Sequence, residues 1–103
     1  MRNEDFNKIV AGWVNKIRAR LALKGVIYSS GEDRLIQFKN VANMLDVSPA
    51  RVCFMFLMKH ISKFILARGE MNSAEREEIY GDIISYLILL DAIQTEEEEN
   101  ARS

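Results

Sequence analysis

Apolar residues recur every three or four positions along most of this chain, and this spacing places them on one face of an α-helix. The first stripe predicts a helix from about Glu4 to Leu23, with Gly25 placed to end it in a left-handed cap. The apolar side of that helix is formed by Phe6, Ile9, Val10, Trp13, Val14, Ile17 and Leu21. The short, β-branched stretch from Val26 to Gly31 then predicts an extended loop.

Similar patterns with polar starts indicate a second and a fourth helix. Glu32 and Asp33 place negative charge at the positive end of a helix that reaches about Asp46. Ser73 is a suitable N-cap for a helix that carries glutamates in its first turns and ends near Gln94. Both helices are therefore predicted to have an acidic start and an apolar side.

The third helix has a strong start signal. Ser48 suits the N-cap position, and Pro49 suits the first helical position, where no amide hydrogen is needed. The helix is predicted to run to about Ala67, and residues 52–58 within it are apolar on every side. Because a helix that is apolar all round is buried all round, we predict that this third helix is the buried centre of the fold.

The predicted fold is all-α: a four-helix, bundle-like single domain over residues 1–95, with an acidic tail, residues 96–103, that is predicted to be disordered. The single cysteine, Cys53, cannot form an internal disulfide. The apolar runs are shorter than the roughly 20 residues that span a bilayer, and the N-terminal residues lack the apolar core of a signal peptide. We therefore expect a cytoplasmic protein.

Charge is divided unevenly along the chain. Residues 1–69 contain 12 Lys and Arg against 5 Asp and Glu, whereas residues 70–103 contain 2 against 10. The two halves are expected to attract each other, either within one fold or across a dimer, and a homo-oligomer is predicted. The alternative is that the basic half serves an anionic ligand.

Three carboxylates, those of Glu75, Glu78 and Asp82, share one face of the fourth helix. Glu78 and Asp82 repel each other unless a cation lies between them, and Mg²⁺ favours carboxylate oxygens. The helix dipole accounts for Glu75 and Glu78 but not for Asp82, which stands among apolar residues. Two interpretations stay open: a buried pair of Asp82 with a lysine, or a Mg²⁺ site.

Lys59 and Lys63 interrupt the third helix just after its most apolar stretch and share one face of it. If the third and fourth helices are antiparallel, either lysine can lie opposite Asp82, and a lysine shielded from water needs such a partner. We therefore predict that Asp82 is at least half buried and within about 4 Å of Lys59 or Lys63, either in the same chain or across an interface between two copies. His60 has no second histidine or cysteine at ligand spacing, so zinc is not expected.

Two further patterns are weaker. Residues 38–52 are spaced like a helix-turn-helix, but the second helix offers apolar side chains where base readout needs polar ones, so DNA binding is not expected. Lys16, Arg20 and Lys24 form a basic stripe on the first helix, which is most simply a solvated surface. The stripe leads to Tyr28 and two serines, whose hydroxyls and backbone amides could hold a phosphate.

Five short motifs carry a resemblance to known proteins. They are Tyr-Ser-Ser-Gly from Tyr28, Arg-x-x-x-Phe-Lys-x-x-Ala from Arg34, Val-Ser-Pro from Val47, Lys-His-x-x-Lys from Lys59, and Glu-x-x-x-Asp-x-x-x-Tyr-Leu-x-Leu-Leu from Glu78. In this order they resemble small bacteriophage proteins of unassigned function. More loosely, they resemble the MazG-like, nucleotide-modification-associated all-α group over residues 26–93.

The MazG-like resemblance implies a helical bundle in which acidic residues on two helices bind Mg²⁺ and a nucleoside triphosphate. Glu78 and Asp82 match the acidic pair of the last helix in that group. Where the group carries a Glu-Glu-x-x-Glu run on the preceding helix, this chain has Lys59, His60 and Lys63. This departure from the group's pattern favours direct neutralisation of phosphates by basic residues over pyrophosphate hydrolysis.

We therefore expect a protein that binds a phosphorylated small molecule, such as a nucleotide or signalling nucleotide, without cleaving it and without a cofactor. The predicted ligand site consists of Lys59, Lys63, Asp82, Tyr86, Tyr28 and Arg34. The alternatives are a Mg²⁺-dependent pyrophosphohydrolase that uses Glu75, Glu78 and Asp82, and a protein-binding module that inhibits a host factor. A net-positive pocket favours phosphate binding without metal, and a net-negative pocket favours hydrolysis.

Overall fold

The computed structural model of the chain describes residues 1–28, 33–67 and 69–102, and for residues 26–28 it describes the backbone alone. Within these ranges the chain forms four α-helices, which are α1 (Asn3–Tyr28), α2 (Ile36–Leu45), α3 (Pro49–Ala67) and α4 (Ser73–Arg102). The predicted all-α, bundle-like fold is confirmed.

The helices form a row in which α4 packs between α1 and α3, and α3 packs between α4 and α2. The main core lies where α2, α3 and α4 meet. Its buried members are Leu35, Phe38, Ala42, Val52, Cys53, Leu89 and Ile93. On α1, Ile17 is buried. Ion pairs and ring contacts between α1 and α4 run in the same chain direction, from Trp13 beside Tyr80 to Lys24 beside Asp82, so these two helices are parallel.

The third helix is buried on one side only, so the prediction of burial all round is wrong. Its buried residues are Val52, Cys53, Leu57 and His60, and its exposed apolar residues include Phe54, Met55, Phe56 and Met58. In this row, α2 and α4 cover two sides of α3, and none of the described residues forms a second layer over the rest of it. Among the described helices none is by itself long and apolar enough to span a membrane; α2 and α3 reach that length and composition only together, across a 100° bend.

The first helix continues through Gly25 to Tyr28, so the predicted end near Leu23 and the extended loop from Val26 are wrong as far as Tyr28. A Cβ atom on Gly25 would lie 3.0 Å from Nε of Arg34. Nη2 of Arg34 donates a 2.6 Å hydrogen bond to the Leu21 carbonyl, which places this side chain across the helix. The glycine therefore permits close approach of Arg34 rather than termination of the helix.

The second helix begins at Ile36, later than predicted, because Asp33 forms a turn of its own before it. Oδ1 of Asp33 accepts a hydrogen bond from the Leu35 amide at 2.9 Å. The helix ends as predicted at Asp46, which is left-handed with φ 54°. Glu32, the other predicted starting residue, lies outside the described residues.

The starts of α3 and α4 are set by side-chain caps. Oγ of Ser48 accepts a hydrogen bond from the Arg51 amide at 3.2 Å, which confirms the predicted cap before Pro49. At α4 the cap is Asn72 rather than the predicted Ser73, because Oδ1 of Asn72 accepts a hydrogen bond from the Glu75 amide at 2.9 Å. The pattern of polar residues locates this helix start to within one position.

The acidic run after Gln94 is helical to Arg102, where a disordered tail was predicted. Nζ of Lys39 on α2 lies 2.5 Å from a carboxylate oxygen of Glu96 and 2.6 Å from one of Asp33. Lys39 therefore ties the start of the acidic run to α2. Glutamate, alanine and arginine are good helix formers, which supports the turns beyond this contact.

Candidate functional site

An ion-pair network joins α1 to α4. Nη1 of Arg20 lies 3.0 Å from Oδ1 of Asp82, and Nη2 of Arg20 lies 2.8 Å from Oε2 of Glu78. Lys16 pairs with Glu77 at 3.5 Å one turn earlier. The stripe predicted as solvated surface is therefore the partner of the acidic face, and the expected attraction between the two halves of the chain operates within one fold.

Gly81 allows Arg20 to lie against the backbone of α4. A Cβ atom at Gly81 would lie 2.5 Å from Nε and 2.6 Å from Cζ of Arg20, closer than any side chain tolerates. Gly81 is buried in the helix between the two carboxylates that Arg20 binds. A larger residue here would displace the guanidinium group from both Glu78 and Asp82.

Lys24 stands where this network meets an aromatic cluster. Its Nζ lies 3.9 Å from Oδ1 of Asp82 and 4.5 Å from the centre of the Tyr86 ring. Burial is the main cause that lowers the pKa of Lys24, and the positive charges of Arg20 and Arg34 act in the same direction. Asp82 opposes this shift. Lys24 is therefore a desolvated cation whose compensation by Asp82 is shared with Arg20.

His60 closes the other side of Asp82. Its Nδ1 lies 3.5 Å from Oδ2 of Asp82, and its ring stacks on Tyr86 with centroids 5.1 Å apart. Burial is the main cause that lowers the pKa of His60, and Lys63 and Lys59 lower it further, while Asp82 raises it. His60 is therefore a neutral ring in the folded protein near pH 7.

This lowered pKa predicts a loss of stability as the solution becomes acidic. Between about pH 7.5 and 5.5 the unfolded chain binds a proton on His60 that the folded chain resists, so the free energy of unfolding should fall as the pH falls. In His60→Gln that part of the slope should disappear. Urea denaturation of both proteins at several pH values measures it, and identical slopes would contradict the prediction.

A cavity of about 190 Å³ opens beside the network. Its described walls are Lys24, Arg34, Gln37, Phe38, Phe56, Tyr86 and Leu89. Two cations and one amide thus face a space whose other walls are aromatic or aliphatic. None of these described wall residues carries a carboxylate, so both charges on the described walls are positive, the sign that favours an anion without a metal ion.

The structure brings together some of the predicted site residues and separates others. Tyr86 and Arg34 line the cavity, and Asp82 is one contact away through Lys24. Lys59 and Lys63 are exposed on α3, so the prediction that one of them pairs with Asp82 within the chain is wrong. The side chain of Tyr28 lies outside the described residues.

Asp82 itself is buried to the extent predicted, with 17% of its side chain exposed, but its partners are Arg20, Lys24 and His60. The reason is the packing of α4 against α1, which the sequence pattern does not reveal. α4 is parallel to α1 and presents Asp82 to a face of α1 that a linear pattern shows only as a basic stripe. Lys24 belongs to that stripe, so the signal for a cavity residue was present in the sequence, whereas nothing marked Gln37 or Phe56.

The three carboxylates predicted as a metal site do not come together. The guanidinium group of Arg20 lies between Glu78 and Asp82, and Glu75 is exposed one turn earlier. Across the part of the chain that the structure describes, no three His, Cys, Asp or Glu side chains are close enough to share a metal ion. The cation between the two carboxylates is thus the protein's own arginine.

Cys53 offers no reactive thiol. It is fully buried, and its Sγ lies 3.6 Å from the Tyr86 carbonyl. Burial raises the pKa of this thiol to about 11, so it is protonated at neutral pH. Cys53 therefore supplies no thiolate to the neighbouring cavity.

The chain matches no protein-family model, no curated protein and no solved structure. The resemblance to MazG-like and bacteriophage proteins stays a prediction.

Proposed function

We propose that this protein binds a small phosphorylated molecule in the cavity between Lys24, Arg34 and Tyr86, without a metal ion and without cleaving it. The observation that carries the proposal is the convergence of two cations on one cavity whose described walls hold no carboxylate. A phosphate group there would accept charge-assisted hydrogen bonds from both cations, with Gln37 as a further donor.

The state of Lys24 supports this proposal. Burial lowers the pKa of Lys24, so the structure stabilises its charged form less well than water does. Asp82 lies 3.9 Å away, beyond hydrogen-bond distance, and it also serves Arg20 at 3.0 Å. An anion within hydrogen-bond distance would provide what Asp82 supplies only in part. Bound ligand is therefore expected to raise the pKa of Lys24.

Arg34 is held in position by a hydrogen bond that, among the described residues, uses one of its N–H donors. One of its nitrogens donates to the Leu21 carbonyl at 2.6 Å, and its guanidinium packs against Gly25. A guanidinium group carries five N–H donors in a planar fork, which suits the oxygens of a phosphate. Because the hydrogen bond to Leu21 already orients the group, little side-chain entropy is lost when it binds a ligand.

The apolar walls and the volume limit what the ligand can be. Phe38, Phe56, Tyr86 and Leu89 offer an apolar wall, and the Tyr86 ring already stacks with Phe56 at 6.0 Å and with His60 at 5.1 Å. Pockets for drug-sized ligands hold about 300–1,000 Å³, more than the 190 Å³ here. The cavity suits a small phosphorylated metabolite, or the phosphate-bearing end of a larger one.

The decisive variant is Arg34→Gln, with Lys59→Gln as its control. Both changes remove one positive charge from the protein, but Arg34 lines the cavity and Lys59 is exposed on α3. Loss of a charge-assisted hydrogen bond costs about 1.5–3 kcal/mol, so Arg34→Gln should weaken binding about tenfold to a hundredfold. Lys59→Gln should change affinity less than about threefold.

Calorimetric titration measures this with inorganic phosphate, pyrophosphate, nucleoside mono-, di- and triphosphates and cyclic dinucleotides, each with and without Mg²⁺. Affinity for at least one of them that does not depend on Mg²⁺ and is lost in Arg34→Gln is the expected result. Absence of heat from every compound, together with an unchanged melting temperature, would refute the proposal. Equal losses in both variants would move the site to the surface of α3.

A further inference from the structure

The first turns of α1 extend past the start of α4. Lys16 pairs with Glu77, which is only four residues into α4, and the two helices are parallel. Counting back the same distance along α1 reaches Gly12, so the residues before it extend past the start of α4. Residues 1–11 are all exposed, in agreement with this geometry. We call residues 3–11 the overhang.

The overhang carries an apolar side that the described part of the chain leaves about half exposed. Phe6, Ile9 and Val10 are at helical spacing and are 55%, 46% and 47% exposed. They belong to the same apolar stripe as Ile17, which lies later in the helix and is buried. An isolated two- to three-turn segment has little intrinsic stability as a helix in water. An apolar stripe there implies that something packs against it.

A groove with apolar walls lies farther along the same stripe. A depression of about 320 Å³ between α1 and α4 is lined by Val14, Ile17, Leu21, Ile84 and Ile88, together with Trp13 and Arg18. A second depression of about 170 Å³ adjoins it at Ile84 and is lined otherwise by Phe64, Tyr80 and Ile83. The apolar surface is therefore continuous from the overhang to the middle of α4.

The exposed surface area of the chain is larger than that of a typical monomer of its mass. The chain exposes 7682 Å², whereas a folded monomer of 11.9 kDa typically exposes about 5,900 Å². The last turns of α4 add polar area to this excess of about 1,800 Å², and its apolar share is spread over the overhang and the faces of α2, α3 and α4, where Met44, Met55 and Leu87 are also half exposed or more. Obligate homodimers bury about 1,000–2,500 Å² on each partner, which is the same range.

From these observations we infer that a second copy of this chain docks on this face, and that the overhang of each copy packs into the α1–α4 groove of the other. Two antiparallel α1 helices related by a two-fold axis place both overhangs in both grooves at the same time. In a two-fold pairing both copies use the same face. Phe6, Ile9 and Val10 of one chain therefore lie in the groove of its partner, and the same residues of the partner lie in the groove of the first chain. The interface is separate from the proposed ligand cavity.

Three substitutions to glutamate test this arrangement. Ile9→Glu places a charge on the apolar side of the overhang, and Ile88→Glu places one in the groove. Ala11→Glu is the control, because Ala11 is exposed on the same helix almost opposite Ile9. Loss of one central interface side chain costs at least about 2 kcal/mol, so each of the first two should raise the dissociation constant at least about thirtyfold. Ala11→Glu should leave it within about threefold.

Sedimentation equilibrium and light scattering measure the mass against concentration. The expected result is twice the 11.9 kDa of one chain for the native protein and for Ala11→Glu, and dissociation in the two other variants. If a variant no longer folds, the native protein decides the matter, because the melting temperature of a dimer rises with its concentration. A native chain that stays monomeric at 0.5 mM (about the concentration of a structural sample), or a dimer that survives either Ile9→Glu or Ile88→Glu, would overturn the inference.

Discussion

Replacing Asp82 with alanine should destabilise the protein by about 3 kcal/mol, since removal of one partner leaves buried charges without compensation. The side chains of Asp82, Arg20 and Lys24 are only 17%, 21% and 23% exposed. Arg20 would keep Glu78, which is largely exposed, but Lys24 would lose the closest anion that the network gives it. The expected result is a lower denaturation midpoint with an unchanged slope in urea.

The matched control is Asp91→Ala on the same helix. Asp91 is exposed, so its replacement should change the free energy of unfolding by no more than about 0.5 kcal/mol. In the double variant Arg20→Ala with Asp82→Ala, the loss should be smaller than the sum of the two single losses, because the two side chains contact each other. If Asp82→Ala behaves like Asp91→Ala, the network contributes no net stability and the predicted role of Asp82 is wrong.

The helix starts and ends that depend on local chemistry could be predicted from the sequence. Ser48 and Pro49 set the start of α3 through a cap that needs no tertiary partner, and Asp46 ends α2 in the left-handed region. Gly25 could not be interpreted correctly in this way. Its role depends on Arg34, which comes nine residues later and crosses α1 only in the folded chain.

The site shows the same division between local and tertiary information. The burial of Asp82 and its need for a basic partner followed from an acidic residue among apolar neighbours. The identity of that partner depends on which helix lies opposite. Lys59 and Lys63 are on α3, which does pack on α4, but His60 is the residue of that segment that faces Asp82. Neighbouring residues in a helix point about a third of a turn apart, so the rotation of α3 decides which of them faces Asp82. The pattern of α3 is apolar on every side and does not fix that rotation.

The exposed apolar residues were misjudged for a related reason. A run such as residues 52–58 indicates burial, but it does not indicate whether the covering surface belongs to the same chain. Phe54 and Met55 are about half exposed beside a depression near Arg51, outside the interface that we infer. Hydrophobic periodicity therefore predicted the helices well. For α3 it predicted burial correctly only at the residues that α2 or α4 covers.

The other large effect is expected from the wall that the core shares with the ligand cavity. Leu89 is 6% exposed, belongs to the core with Cys53 and Phe38, and also lines the 190 Å³ cavity. Leu89→Ala should therefore cost about 4 kcal/mol, from lost apolar burial and from the void that it leaves. Leu87, two residues earlier on α4, is 50% exposed, and Leu87→Ala should cost less than about 1 kcal/mol.

Leu89→Ala also tests whether the cavity and the core are one packed unit. The removed atoms lie next to an existing space, so relaxation cannot fill the void from that side and the loss should lie toward the upper part of the usual 2–5 kcal/mol for leucine to alanine. Urea denaturation of both variants, in the absence of ligand, gives the two values. A cost for Leu89→Ala equal to that of Leu87→Ala would mean that Leu89 is loosely packed, and that the cavity wall is not a rigid surface on which a ligand can be held.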